Sequence, residues 1–240
     1  MNAKIGIIAA LSSEAKCFAK IDIDPDSYRI ISEDSFLHYA GMGAKNAMRA
    51  AQSLIDTDVD ALVSWGSAGA LHPALVPGDI VLPVAVIDYS DKRQYQVDQR
   101  WHTALKNKLG HKKIYDGNLA STREVQQGPR QKIKLHRATG ALAVDMESAA
   151  IAAVASKKKK PFLVIRSISD TTTMHIPKSA INASDQYGRV SMRGLSVALM
   201  KRPREVLHYP RFIRSFASAK QSLRGIVELC GFDLCFHEVL

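Results

Sequence analysis

Three acidic residues, Glu14, Glu147 and Asp170, follow short apolar runs in the segments LSSEA, VDMES and SISD. A carboxyl group in such a place can act as general acid or base, provided its surroundings tune its hold on a proton. A fourth segment, GSAGAL at 66–71, offers small residues that let a ligand approach the backbone closely. It lacks the G-x-G-x-x-G spacing of a dinucleotide loop and the Lys of a P-loop, so alone it does not define a phosphate site. Each acid also has a plainer reading. Glu14 and Glu147 suit the first turn of a helix, where the macrodipole favours negative charge. Asp170, followed by three threonines, suits a cap or an acid in a desolvated pocket. No Cys/His cluster has metal spacing, so no metal site is expected.

The elements that must position these residues alternate between short β-branched runs and helical patterns. Strands are expected at 4–10, 28–31, 36–40 and 61–65, the last ending in a turn formed by GSAGAL. Further strands are expected at 79–88, 114–120, 141–144 and 161–168. Helices are expected at 43–55, 101–109, 131–138, 146–157, 188–200 and 211–229. Ala47, Ala50, Ala51 and Leu54 share one face of the first helix. Residues 171–187 read as a polar loop long enough to be a lid. The pattern implies an α/β fold with a central mixed, mainly parallel twisted sheet flanked by helices. In such sheets ligands bind beyond the carboxyl ends of the strands, where all four segments sit. Residues 1–200 are expected to form the main domain, and 201–240 a C-terminal basic helical extension of it.

Bulk properties narrow the classes. The 240 residues suit one large domain, and no apolar run is long enough to span a bilayer. Three cysteines, Cys17, Cys230 and Cys235, fit a reducing compartment rather than a disulfide framework, so a cytoplasmic protein is expected. The net charge of +10 is concentrated near the C-terminus: residues 201–224 hold seven Lys/Arg against one acid. No nucleic-acid-binding signature accompanies them, and no nucleic acid partner is expected. From Arg211 the apolar residues Phe212, Phe216, Ala219, Leu223, Ile226 and Cys230 fall at helical spacing. That stripe favours packing on the core or on a second subunit. The basic face beside it, with Arg204, Arg211, Arg214 and Arg224, suits instead a peripheral contact with an anionic membrane.

The order of IGIIAALSSEA, GSAGALHPALVPGDIVLP, AVDMESAAIAAVA and PFLVIRSISD resembles the nucleoside phosphorylase and nucleosidase superfamily, especially the methylthioadenosine/S-adenosylhomocysteine nucleosidases. It covers roughly residues 4–200. SDQYGRV, LMKRPREV and the basic helix resemble the hopanoid-associated branch, whose activity is removal of adenine from adenosylhopane. The resemblance implies cleavage of the N-glycosidic bond of an adenine nucleoside, by a homo-oligomer such as a dimer and without a cofactor. Asp170 would protonate purine N7, with Ser169 orienting it. Glu14 would activate water. Glu147 would hold the ribose hydroxyls and Met146 would pack on the sugar. Ser67 and Gly69 would line the cleft, and Val125, after the strand from Leu119 to Ser121, would flank the base.

Three positions depart from the family pattern. Ala70 stands where a Gly is usual, Asp145 where a Glu is usual, and Val125 where an aromatic residue often stacks on adenine. They leave open the base pocket and the 5′ substituent, with a lipid-linked nucleoside among the candidates. Glu14, where phosphorylases carry a phosphate-gripping Arg, favours water as nucleophile. Phosphorolysis would instead use Arg166 and Arg49 as phosphate ligands, although an ion pair and a surface charge are their plainer readings. Cleavage of methylthioadenosine or S-adenosylhomocysteine is compatible with the same residues. A non-enzymatic basic module that binds membrane or nucleic acid would use the C-terminal charge but gains nothing from the three acids. His72 and His175 have no assigned role.

Overall fold

The computed structural model describes residues 3–110, 112–189 and 191–239. In chain order its elements begin with β1 (Ile5–Ala9), α1 (Ser12–Phe18), β2 (Ser27–Ser32), β3 (Ser35–Tyr39), α2 (Ala44–Asp56) and β4 (Ala61–Ala70). Next come β5 (Ile80–Val81), β6 (Ala85–Asp88), β7 (Gln94–Gln96), α3 (Gln99–Leu109), β8 (Ile114–Tyr115), β9 (Asn118–Ser121), α4 (Pro129–Thr139) and β10 (Ala143–Asp145). The chain ends with α5 (Ser148–Lys157), β11 (Phe162–Asp170), α6 (Lys178–Ala183), α7 (Met192–Lys201) and α8 (Tyr209–Cys230).

β1 lies between β3 and β4, parallel to both, and all five of its residues are buried. Burial on both faces explains its unbroken apolar run. The sheet forks at β4. Along most of its length β4 pairs in parallel with β11, which leads to β5 and β8. At its end, Gly69 and Ala70 pair antiparallel with β10, which leads through β9 to β6 and β7. The sheet is therefore mixed and mainly parallel, with helices on its faces, as expected. α2 packs on α5, and α8 packs on β11 and α1. Ala47, Ala50, Ala51 and Leu54 of α2 are wholly buried, in agreement with their shared face.

The fork corrects three sequence expectations. GSAGAL is not a turn, because its first five residues extend β4 to Ala70. Small side chains there serve close packing within a strand that has partners on both sides. The run at 79–88 is two strands, since the chain leaves the β11 branch after Val81 and joins the β9 branch at Ala85. Pro83, which has no N–H to donate, lies in the gap. The run at 114–120 crosses between the same branches and splits into β8 and β9. Residues 171–187 are likewise not a free loop. They include all of α6, and Ile176 N–H donates to the Gln127 carbonyl (2.9 Å). Met42 N–H donates to the Gln186 carbonyl (2.7 Å), and Tyr39 Oη donates to the Tyr187 carbonyl (2.5 Å).

Candidate active site

Glu14 lies in α1 with its carboxyl group turned back to β4. Oε1 accepts from Ser67 N–H (2.8 Å) and Ser67 Oγ (2.6 Å), and Oε2 accepts from Leu11 N–H (3.2 Å). The Trp65 indole N–H donates to the Glu14 carbonyl (3.1 Å), which ties this turn of α1 to the strand. Between them Gly66 has φ +152°, and a Cβ there would stand 2.6 Å from Arg166 Nη1 and 2.7 Å from Glu14 Oε2. Only glycine leaves room for both charged groups. Burial raises the proton affinity of Glu14 above the usual carboxyl value, and Arg166 and the Ser67 hydrogen bonds oppose that rise.

Arg166, on β11, is itself buried. Its Nη2 meets Asp145 Oδ2 (2.6 Å), Ser64 Oγ (2.7 Å) and Ser148 Oγ (3.1 Å), and Ser148 Oγ donates to Asp145 Oδ2 (2.5 Å). The ion-pair reading of Arg166 therefore holds, with Asp145 as the partner. A buried pair of this kind is weak evidence for stability, and removing one partner would leave an uncompensated charge. Arg49, on α2, pairs with Asp26 (2.9 Å) and is exposed.

Glu147 occupies the cap position of α5 but is not a surface acid, since it is buried. Its Oε1 accepts from Gly43 N–H (2.7 Å) and its Oε2 from Met146 N–H (3.2 Å). Burial raises its carboxyl group to about 7, and the negative charge of Asp145 adds to the rise. Arg166 opposes it and Glu14 adds a smaller contribution, so these groups sense one another.

Asp170 ends β11 and is buried. Oδ1 accepts from Ser169 Oγ (2.9 Å), and Oδ2 accepts from Lys132 Nζ. Lys132, on α4, has no exposed surface, and its Nζ also donates to the Thr171 carbonyl (2.6 Å). Sequence reasoning missed Lys132. Its neighbours Gln131, Ile133 and Lys134 are exposed, so the local pattern is that of a surface helix. The signal is a contact across 38 residues, which no spacing rule encodes.

β4 joins the acids. Ser67 and Gly69 are partly exposed, whereas Gly66, Ala68 and Ala70 are buried, so positions 67 and 69 share the face that opens outward. Glu14 is anchored at Ser67. A Cβ on Gly69 would lie 3.1 Å from Asp170 Oδ2. Two residues along a strand span roughly 7 Å, so the points of β4 that the two carboxyl groups meet are about that far apart. Met146 is partly exposed beside Glu147, and Val125 is half-buried on the loop from β9 to α4. His72 packs its ring edge-on against His136, and His175 is exposed. A separate groove of about 520 Å³, lined in part by Ser179, Asn182, Arg193 and Val197, contains none of the three carboxyl groups.

Buried carboxyl groups against a small-residue strand, at the carboxyl ends of a mainly parallel sheet, make this the candidate site of an α/β enzyme. The family model of the Phosphorylase superfamily matches residues 4–194, and the chain belongs to that superfamily. The chain is 31% identical over 196 residues to a 5′-methylthioadenosine/S-adenosylhomocysteine nucleosidase of Buchnera aphidicola, covering 70% of this chain and 84% of the relative. It is 26% identical over 198 residues to the enzyme of the same name from Bacillus licheniformis, covering 70% of this chain and 85% of the relative. The same fold occurs in the Neisseria meningitidis nucleosidase in complex with methylthio-immucillin-A, with a TM-score of 0.68 at 17% identity over 95% of this chain and 99% of that one. It also occurs in futalosine hydrolase of Helicobacter pylori, with a TM-score of 0.66 at 18% identity over 94% of this chain and 97% of that one.

Proposed function

We propose that this protein hydrolyses the N-glycosidic bond of an adenine nucleoside, with Asp170 as general acid and Glu14 as general base. The observation that carries the reading is that both carboxyl groups lie against β4, Glu14 hydrogen-bonded at Ser67 and Asp170 beside Gly69. As the bond from the sugar to N9 breaks, negative charge collects on the purine, and a proton from Asp170 to N7 neutralises it. Positive charge develops on the sugar. Water on the opposite side loses a proton to Glu14 as its oxygen bonds to C1′. Glu147, presented by Gly43 and Met146 N–H groups, accepts from the ribose hydroxyls, and Met146 packs on the sugar. Ser169 orients Asp170, and Val125 flanks the base. Each proton transfer of this type is typically worth about 100- to 10,000-fold.

Water is favoured over phosphate because Arg166 is committed to Asp145, Ser64 and Ser148, and Glu14 fills the space beside it with negative charge. The finer reading of the substrate is adenosylhopane, processed at the inner face of the membrane by a cytoplasmic homodimer. Its support is the resemblance of residues 184–190 and 199–206 and of the basic helix to the hopanoid-associated branch. The test is adenine release with and without phosphate. Release is expected in phosphate-free buffer, with free sugar as co-product, and about 100-fold or greater losses in Glu14→Gln and Asp170→Asn. Strict dependence on phosphate with formation of a sugar 1-phosphate would establish the phosphorylase instead.

A further inference from the structure

Lys132 has no role in the assignment of Asp170 as acid and Glu14 as base, yet it is wholly buried against the acid. Its side chain is wholly buried and bonds Oδ2 of Asp170, while Ser169 Oγ holds Oδ1. The Thr171 carbonyl fixes the ammonium group from the other side (2.6 Å). An ammonium ion out of water is costly unless paired. On α4 only Lys132 and Leu135 are buried, so this helix turns a cation inward at the acid rather than at solvent. A lysine also differs from an arginine in being able to release its proton.

Building on the assignment of Asp170 as the acid, we propose that Lys132 is a positioning residue that acts through Asp170 and replenishes the proton Asp170 gives to the purine. In the free enzyme the pair holds one transferable proton. When the bond to N9 breaks, its electron pair goes to the purine ring. The one proton moves along the pair, from the Lys132 ammonium to the Asp170 carboxylate and on to N7, which leaves a carboxylate beside a neutral amine. At the other end, Glu14 gains a proton from water. Exchange with solvent returns one proton to Lys132 and removes one from Glu14, so the net reaction is nucleoside plus water giving adenine plus sugar.

The surrounding charged groups are few. His175 lies against Gly128 at the start of α4, and His136, one turn beyond Lys132, binds the Ala141 carbonyl through Nδ1 (2.8 Å). Arg130, Lys134 and Arg137 are on the exposed face of α4. Glu14 accepts from Ser67 N–H, two residues along β4 from Gly69, and Glu147 accepts from Gly43 N–H.

The experiment compares Lys132→Met with wild type on an adenine nucleoside and on p-nitrophenyl riboside, whose leaving group needs no proton, across pH. At about pH 8 adenine release should fall about 100-fold or more, and at about pH 5, where solvent supplies protons far more readily, most of that loss should be recovered. Release of p-nitrophenol should fall far less at either pH. An equal loss on both substrates at every pH would mean that Lys132 only holds the structure, and near-normal adenine release at pH 8 would mean that it does nothing for the acid. Because Lys132→Met leaves the Asp170 carboxylate unpaired, Lys132→Met/Asp170→Asn provides a second reading. It should release adenine no more slowly than Asp170→Asn alone, and a further tenfold loss overturns the proposal. A wild type that releases p-nitrophenol but never adenine removes the adenine-nucleoside reading itself, and this proposal with it. Failure with an active wild type concerns Lys132 only.

Discussion

At the scale of single residues, Glu147 makes the strongest prediction because its carboxyl group is held at about 7 by burial first and by Asp145 second. In the unfolded chain a Glu carboxyl group titrates near 4.5. Between these values the folded protein binds the proton more tightly than the unfolded chain. The stabilising contribution of the neutral carboxyl group is thus complete below about pH 4.5 and is lost as pH rises through 7. Replacing it by Gln removes the titration while the amide oxygen can still accept from Gly43 or Met146. Between pH 5 and 8, the stability of wild type should therefore decline relative to Glu147→Gln by about 2 to 3 kcal/mol. Denaturant unfolding at both pH values measures this, and parallel pH dependence of the two proteins would refute it. The variant should also bind nucleoside less tightly, since an amide is a poorer acceptor for the ribose hydroxyls than a carboxylate.

At the scale of elements, β4 decides the geometry and was only half visible in the sequence. Small residues in GSAGA suggest a turn, but a strand with partners on both sides needs them equally. The signal that separates the two cases is pairing with β11 and β10, which is tertiary. The acids themselves were legible because each follows an apolar run that does become a strand or leads into one. Lys132 was not, because α4 shows a polar face around it and its partner is remote in sequence. Gly66 was visible as a small residue but not as a required one. Gly66→Ala should cost about 1 to 3 kcal/mol, since its φ of +152° is unfavourable for other residues and the new methyl group meets Arg166 and Glu14. Those two side chains cannot easily yield, because Glu14 accepts three hydrogen bonds and Arg166 is paired with Asp145. Turnover should fall by more than substrate affinity, because Glu14 is the group proposed to activate water rather than to hold the nucleoside. Unchanged thermal stability and kcat in Gly66→Ala would show that the contact is slack.

For the whole molecule, the open matter is what the C-terminal segment does. The family match ends at residue 194, which makes the remainder look like an addition suited to a special substrate. The solved nucleosidase and futalosine hydrolase folds nevertheless align over 94–95% of this chain, so most of residues 201–240 fall inside a shared fold. The interior of α8 agrees with a packing role. Ala219, Leu223, Ile226 and Cys230 are buried, and Phe212 and Phe216 are half-buried. The existence of the segment therefore carries no argument for a lipid-linked substrate, and any such argument must rest on its outer surface. That surface exposes Val197, Met200, Val206, Leu207 and Ile213, with Leu207 81% accessible, within a stretch that also exposes Lys201, Arg202, Arg211 and Arg214. The side chain of Arg204 lies outside the described residues, and Arg224 is exposed further along α8. Among the described residues no helix is long and apolar enough to cross a membrane, so contact would have to be peripheral. Apolar side chains interleaved with cations are what an anionic lipid surface attracts, at about 1 kcal/mol for each basic residue near it and less as salt rises. The protein is expected to co-sediment with anionic vesicles at low salt and poorly with neutral ones. Neutralising Lys201, Arg211 and Arg214 together should weaken that binding by about 100-fold, and Leu207→Ser should weaken it further. Cleavage of a short, water-soluble adenine nucleoside should continue in all of these variants. If the intact protein ignores anionic vesicles even at low salt, the exposed apolar residues belong to a contact between subunits or to none, and adenosylhopane loses its physical support as the substrate.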